Sequence, residues 1–135
     1  MVVVDKTIAS WVMDGIGTSN DNMTAIGDVK DGVLIAAFCF ENWNENNLWG
    51  HSRIDASPRK QFWIANANYI FNQCGVKRFS ATVEATNKKA IDLNHHIGFK
   101  TEAILKDAGK TGDLLVMVLW KENCRFLKWG KKNEI

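Results

Sequence analysis

The stretch from Leu48 to Ala85 constrains the fold most. Leu48–Asp55 alternates as a strand does, with Leu48, Ser52 and Ile54 on one face and Trp49, His51, Arg53 and Asp55 on the other. Ser57-Pro58 then opens a helix, serine as its cap and proline in its first turn; the helix runs to about Cys74 and stops at Gly75. Phe79–Ala85 alternates again. Two strands joined by a helix of this length should lie parallel, with a right-handed crossover.

The other segments read as antiparallel neighbours. Val2–Val4 is a short strand, and Asp5 caps a helix over Lys6–Gly15 with Ile8, Trp11 and Val12 on one side. Met23–Val29 is a strand and Lys30-Asp31-Gly32 a turn. Val33–Phe40 is almost continuously apolar, as a central strand covered on both faces should be. Asn42–Asn47, polar apart from Trp43, is a hairpin loop. Phe99–Lys106 and Leu114–Trp120 form a terminal hairpin around Asp107–Gly112. The sum is an α+β (mixed α/β) fold, one domain over residues 1–135. It has a central mixed sheet of six or seven strands, a βαβ crossover, and three main helices distributed over both faces.

Between the last two parts lies a short helix with both ends marked. Asn87 can accept a hydrogen bond from the first turn, and Gly98 fits the left-handed position past the last turn. Ala90, Leu93 and Ile97 give it one apolar face.

With 46% apolar and 24% charged residues the chain has the composition of an ordinary globular protein. A net charge of +2 is too small to argue for nucleic acid, though it suits a small polyanion such as a nucleotide cofactor. Cys39, Cys74 and Cys124 are odd in number and lack metal-ligand spacing; they read as reduced thiols in a cytosolic protein. Met1–Asp5 is too short and too soon acidic for a signal peptide, and no apolar run approaches membrane-spanning length.

The order of elements, and the spacing of Gly75-Val-Lys-Arg-Phe79, Asn87, Gly98-Phe99 and Glu102, resemble the GNAT superfamily of acyl-CoA N-acyltransferases. The resemblance is closest to short phage-encoded GNAT-like proteins, which often end in a segment like Lys121-Glu-Asn-Cys124-Arg-Phe-Leu127. It implies acetyl-CoA as cofactor, a primary amine as acceptor, direct attack on the thioester, a cytoplasmic setting (the host's, for a phage protein) and room for a homodimer. The pantetheine arm would lie where Ser52–Ala56 splays from Ala81–Ala85. Ile54, Asp55 and Ala56 would lie along it, and Asn87, Lys88, Ala90 and Asn94 beside it. The splayed backbone would offer an N–H to the thioester oxyanion.

The family usually meets the pyrophosphate with a Gln/Arg-x-x-Gly-x-Gly/Ala loop. Ser57-Pro58-Arg59-Lys60-Gln61 lacks those glycines, and Pro58 removes one N–H. What remains for the anion is Arg59, Lys60 and the amides of Lys60, Gln61, Phe62 and Trp63 at a helix N-terminus. Many relatives carry a tyrosine that protonates the thiolate; the matching position is Asn94, which is no acid, so Ser52 or a water would take that part.

An attacking amine must be neutral. A lysine-like amine is neutral only about once in 2,500 at pH 7, a penalty of roughly 4.6 kcal/mol, so such a substrate demands a base. His51 leads, mid-strand on the polar face, because histidine ordinarily titrates nearest neutrality. Glu41 follows, ending the apolar strand; Asp55 and Glu84 come behind. His95 and His96 are explained by the dipole at a helix C-terminus. Trp43 is placed to touch an acceptor. Trp129 with Lys128, Lys131 and Lys132 makes a basic-aromatic tail, weak support for nucleic acid. The rival reading is a catalytically inactive GNAT-fold phage protein, a structural or host-protein-binding module. Glycine loss and Asn94 favour it, whereas the intact Asn87–Phe99 segment favours the enzyme.

Overall fold

Seven strands lie side by side in the order β1-β2-β3-β4-β5-β7-β6. They are β1 (Val2–Val4), β2 (Thr24–Lys30), β3 (Val33–Glu41), β4 (Asn47–Ile54), β5 (Arg78–Glu84), β6 (Lys100–Leu105) and β7 (Leu114–Trp120). This computed structural model describes residues 1–132, with side chains described through Lys128. All neighbouring pairs are antiparallel except β4–β5, which is parallel, as the helical crossover between them requires. The helices are α1 (Ile8–Met13), α2 (Lys60–Asn68), α3 (Lys88–Ile97) and α4 (Arg125–Lys132).

Each face of the sheet has its own core. Ala37 and Cys39 of β3, with Met23 and Ala25, are small or slim enough for α1 to set Ile8, Ala9, Val12 and Met13 down on them. The alternate residues Ala36, Phe38 and Phe40 face a larger aromatic core with Phe62, Phe71, Phe79 and Phe99. Covering on both faces is why β3 is apolar at nearly every position. The β2–β3 turn places Asp31 and Gly32 both at positive φ (51° and 77°), the geometry that matches the strands' twist.

The helix ends differ from the sequence reading in instructive ways. Helix α1 spans Ile8–Met13 and not Lys6–Gly15, because Asp5 Oδ1 accepts both the N–H and the hydroxyl of Thr7 (2.9 Å each) and forms a turn ahead of the helix. Helix α2 starts at Lys60; Ser57 does not cap it. The carboxylate of Asp28, reaching from β2, accepts the Arg59 N–H at 2.9 Å instead. After Asn68 the helix widens into a π turn, Tyr69–Gln73, closed by Cys74 N–H donating to the Tyr69 carbonyl (2.8 Å). Helix α3 matches its markers: Asn87 Oδ1 accepts the Ala90 N–H, and Gly98 sits at φ 125°. Helix α4 was not foreseen. Its Phe126 stacks on Trp63 of α2 with centroids 5.2 Å apart, and Leu127 is buried. Apart from the exposed Lys128, the side chains of the basic-aromatic tail lie outside the described residues.

Candidate functional site

Strands β4 and β5 pair over three positions, Asn47 with Arg78, Leu48 with Phe79 and Trp49 with Ser80. Beyond them β4 follows β3 as far as Ile54, while β5 follows β7 as far as Glu84. The two parallel strands therefore diverge from Gly50 onward. Gly50 is the hinge of this divergence for a steric reason. The buried Phe79 ring lies over its Cα, and a Cβ there would come within 2.2 Å of Phe79 Cζ. The closed end is held by polar contacts. Ser80 Oγ donates to Asn47 Oδ1, and Arg78 grips Glu102 through two nitrogens (2.9 and 2.6 Å) while lying over the Trp120 ring. The hydrogen bond from Arg78 holds the Glu102 carboxyl below its ordinary pKa.

The divergence opens a cleft of about 510 Å³. Its walls come from both faces of the sheet. His51, Thr82 and Glu84 project toward the α1 side, joined by Ile16 and by Lys110 of the β6–β7 loop; Ile54, Ala81, Ala90, Leu93 and Asn94 line the α3 side. The cleft thus passes between the strands from one face toward the other. Ala90 and Leu93, the expected apolar face of α3, are only half-buried because the sheet beneath them is split.

Two of the expected bases come together. His51 Nε2 lies 2.7 Å from Glu41 Oε2, both side chains being about one-fifth exposed (22% and 21%). Cys39 pairs with His51 across β3–β4, so Glu41, two residues on, is the diagonal neighbour on the same face. His51 and Ser52 line the cleft. Glu84 also lines it: Oε1 accepts the Lys110 N–H, and Oε2, buried, has no partner among the described residues. Gly109 makes room for that oxygen, since a Cβ there would meet it at 1.9 Å. Asp55 is held by Arg53 through both carboxylate oxygens (3.0 and 2.9 Å) and is not on the cleft wall. Trp43 donates to the Cys74 carbonyl (2.8 Å) and does not line the cleft. His96 contacts Arg125, and His95 is exposed on the last turn of α3.

The expected cofactor residues divide in two. Ile54, Asn87, Ala90 and Asn94 line the cleft. Lys88 does not; it is exposed and paired with Asp92 at 2.7 Å, and Lys89 takes the cleft-side place. Asp55, Ala56, Arg59, Lys60, Gln61 and Phe62 are not on the wall either. The Asp55 and Ala56 N–H groups both donate to the Ile35 carbonyl (2.8 and 3.2 Å), and the Phe62 N–H donates to the Arg59 carbonyl while its ring is fully buried in the core. Arg59 gives its N–H to Asp28 Oδ2 and its guanidinium to Asp28 Oδ1 (2.6 Å) and the Val29 carbonyl (3.2 Å). Asp28 itself is wholly buried. In the loop after β4 the Asp55, Ala56 and Arg59 N–H groups are engaged, and Pro58 has none.

Similar solved structures share this architecture. A spermidine N-acetyltransferase SpeG variant from Vibrio cholerae aligns with a TM-score of 0.63 at 16% identity, covering 82% of this chain and 70% of that one. A chimera of the Vibrio cholerae enzyme and hSSAT aligns at 0.68 and 12%, covering 94% and 98%. The Vibrio cholerae enzyme in complex with CoA and spermine aligns at 0.64 and 16%, covering 76% and 68%. The chain has the GNAT fold. No protein-family model and no curated protein sequence matches it. Among the described residues no group of His, Cys, Asp and Glu could hold a metal, and no helix is long and apolar enough to cross a membrane.

Sequence reasoning missed three parts of this site. Asp28 stood out as an acid inside the apolar run Ala25-Ile26-Gly27-Asp28-Val29, a signal that its charge is paired. Gly50, alone inside a strand pattern, marked a close approach. Lys110 and Gly109 carried no signal beyond a turn.

Proposed function

We propose that the chain is an N-acyltransferase that moves an acetyl group from a pantetheine thioester to a primary amine. The observation that carries this reading is the cleft through the sheet with His51 on one wall, backed by Glu41. A thioester bound in the cleft supplies the activated acyl group. The amine enters from the α1 side, past Ile16, Thr82 and Glu84. With Glu41 holding Nε2–H, the free His51 nitrogen takes the amine proton, and the Glu41 carboxylate stabilises the imidazolium that results. Strand N–H groups that face the gap polarise the thioester carbonyl. Asn94 donates toward sulfur, as it does to Met117 Sδ at 3.6 Å, but surrenders no proton. Ser52, a hydroxyl on the cleft wall, can relay a proton from water to the departing sulfur. The sole tyrosine, Tyr69, packs on Phe40 away from the cleft. Three unpaired cysteines suit a reducing compartment.

The second reading, a GNAT-fold binding module without turnover, draws on the engaged loop after β4. Thiol release decides between them, measured with acetyl-CoA and with S-acetyl-pantetheine over peptides, polyamines and aminoglycosides. Release that falls about 10²-fold in His51→Ala supports the enzyme. No release with either donor leaves the binding module.

A further inference from the structure

We infer that the donor is recognised through its pantetheine arm and that its nucleotide diphosphate contributes nothing, because Asp28 already occupies the anion position at the start of α2. This rests on the reading of the cleft as a thioester slot. Three observations carry it.

First, the position is filled by the protein's own anion. Asp28 is wholly buried and its two oxygens take the Arg59 N–H (2.9 Å) and the Arg59 guanidinium (2.6 Å). A carboxylate just ahead of a helix N-terminus offsets the same partial positive charge that a phosphate would. The alternation of β2 turns the carboxylate toward α2, on the same face as Ile26 of the aromatic core.

Second, several of the neighbouring donors are engaged. The Asp55 and Ala56 N–H groups both go to the Ile35 carbonyl, and Pro58 has no N–H. A diphosphate arriving there would meet a buried carboxylate already shared by Arg59 and the N-terminal ammonium (3.2 Å from Oδ1), in place of an array of open amides.

Third, the cleft itself turns away from this corner. Its wall ends at Ile54 on β4 and continues over α3 and the β6–β7 loop, so a thiol-bearing arm lies in it without passing residues 55–62. Recognition of the arm and recognition of the diphosphate, one continuous surface in a glycine-loop protein, are separated here.

Isothermal titration calorimetry of the intact chain with pantetheine, coenzyme A and adenosine 3′,5′-bisphosphate tests this. Pantetheine and coenzyme A should bind with dissociation constants within about threefold of each other, less than one charge-assisted contact is worth, and the bisphosphate should give no heat at millimolar concentration. The coenzyme A constant should be unchanged between low and moderate salt, since no exposed ion pair forms. Asp28→Ala, which frees the Arg59 N–H and removes the anion paired with its guanidinium, should gain about tenfold for coenzyme A over pantetheine. If that variant does not fold, the wild-type comparison decides. Coenzyme A binding more than about tenfold tighter than pantetheine to the wild type, or measurable bisphosphate binding, overturns the inference and leaves the acyltransferase reading intact. Absence of binding by pantetheine and coenzyme A alike overturns both.

Discussion

Replacing Gly50 with alanine tests the steric basis of the cleft. The new Cβ would lie 2.2 Å from Phe79 Cζ and 2.4 Å from Cε1. Carbon atoms prefer about 3.5–4.0 Å, so the ring must retreat by more than about 1 Å. It has little room to do so. Phe79 is 1% exposed and is packed against Phe38, Phe40 and Phe99, with centroids 6.1, 5.7 and 5.8 Å away. Overpacking in such a place costs about 2–3 kcal/mol. At about 2.1 cal/mol/K of unfolding entropy per residue, the melting temperature should fall by roughly 7–11 °C. Thermal denaturation followed by circular dichroism measures the fall. Combining Gly50→Ala with Phe79→Leu removes the clashing ring edge, so the double variant should lose less than the sum of the singles by about 1 kcal/mol or more. A loss below about 0.5 kcal/mol for Gly50→Ala, or strict additivity in the double variant, refutes the argument.

The remaining expectations concern the charged and titratable groups. Glu41→Gln should lower kcat about tenfold or more with little change in KM, since it weakens the stabilisation of a protonated His51 without touching the donor slot; steady-state kinetics of thiol release checks this. Asp28→Ala should destabilise the fold by about 2–4 kcal/mol in urea titrations, because it leaves the Arg59 N–H without its acceptor and removes the buried counter-charge of the Arg59 guanidinium and the N-terminal ammonium. Asn87→Ala should cost about 1 kcal/mol through the lost α3 cap. Burial, and then the charge of Glu41, raise the Cys39 thiol from 9.0 to about 11. Folding therefore favours the neutral thiol, and the associated stability, about 3 kcal/mol, is complete below pH 9 and lost as pH rises through 11. Urea titrations at pH 8 and above pH 10 should show that loss in the wild type and not in Cys39→Ala.

Much of this fold was legible because local patterns and tertiary surroundings agree. The unbroken apolar run of β3 announced a strand covered twice, and Asn87 and Gly98 marked both ends of α3 where the structure has them. The crossover between β4 and β5 followed from element lengths. What was not legible depends on residues far apart in the chain. Ser57 is a good cap by type, yet Asp28, 31 positions from Arg59, supplies the carboxylate. The π turn at Tyr69–Gln73, which is followed by the Cys74 carbonyl that accepts from Trp43, has no local sign. His51 and Glu41 were each readable as candidates from strand position. Their 2.7 Å contact was not, because it requires the β3–β4 register, which the five-residue loop 42–46 leaves undefined. The lone glycine in β4 and the lone acid in β2 carried the missing information in plain form.

The three pairings from Asn47 to Trp49 have a mechanical consequence. They are the backbone seam joining a four-stranded plate, β1 to β4, to a three-stranded plate, β5, β7 and β6. Each plate is stiff along its own hydrogen-bond ladders, while the angle between them rests on that short seam and on the aromatic side chains beneath it. A slender molecule bonded to the bare edges of both plates would act as a splint. It would slow amide exchange along Ser52–Ile54 and Ala81–Val83 together, and it would set the opening of the whole molecule from one narrow line of contact.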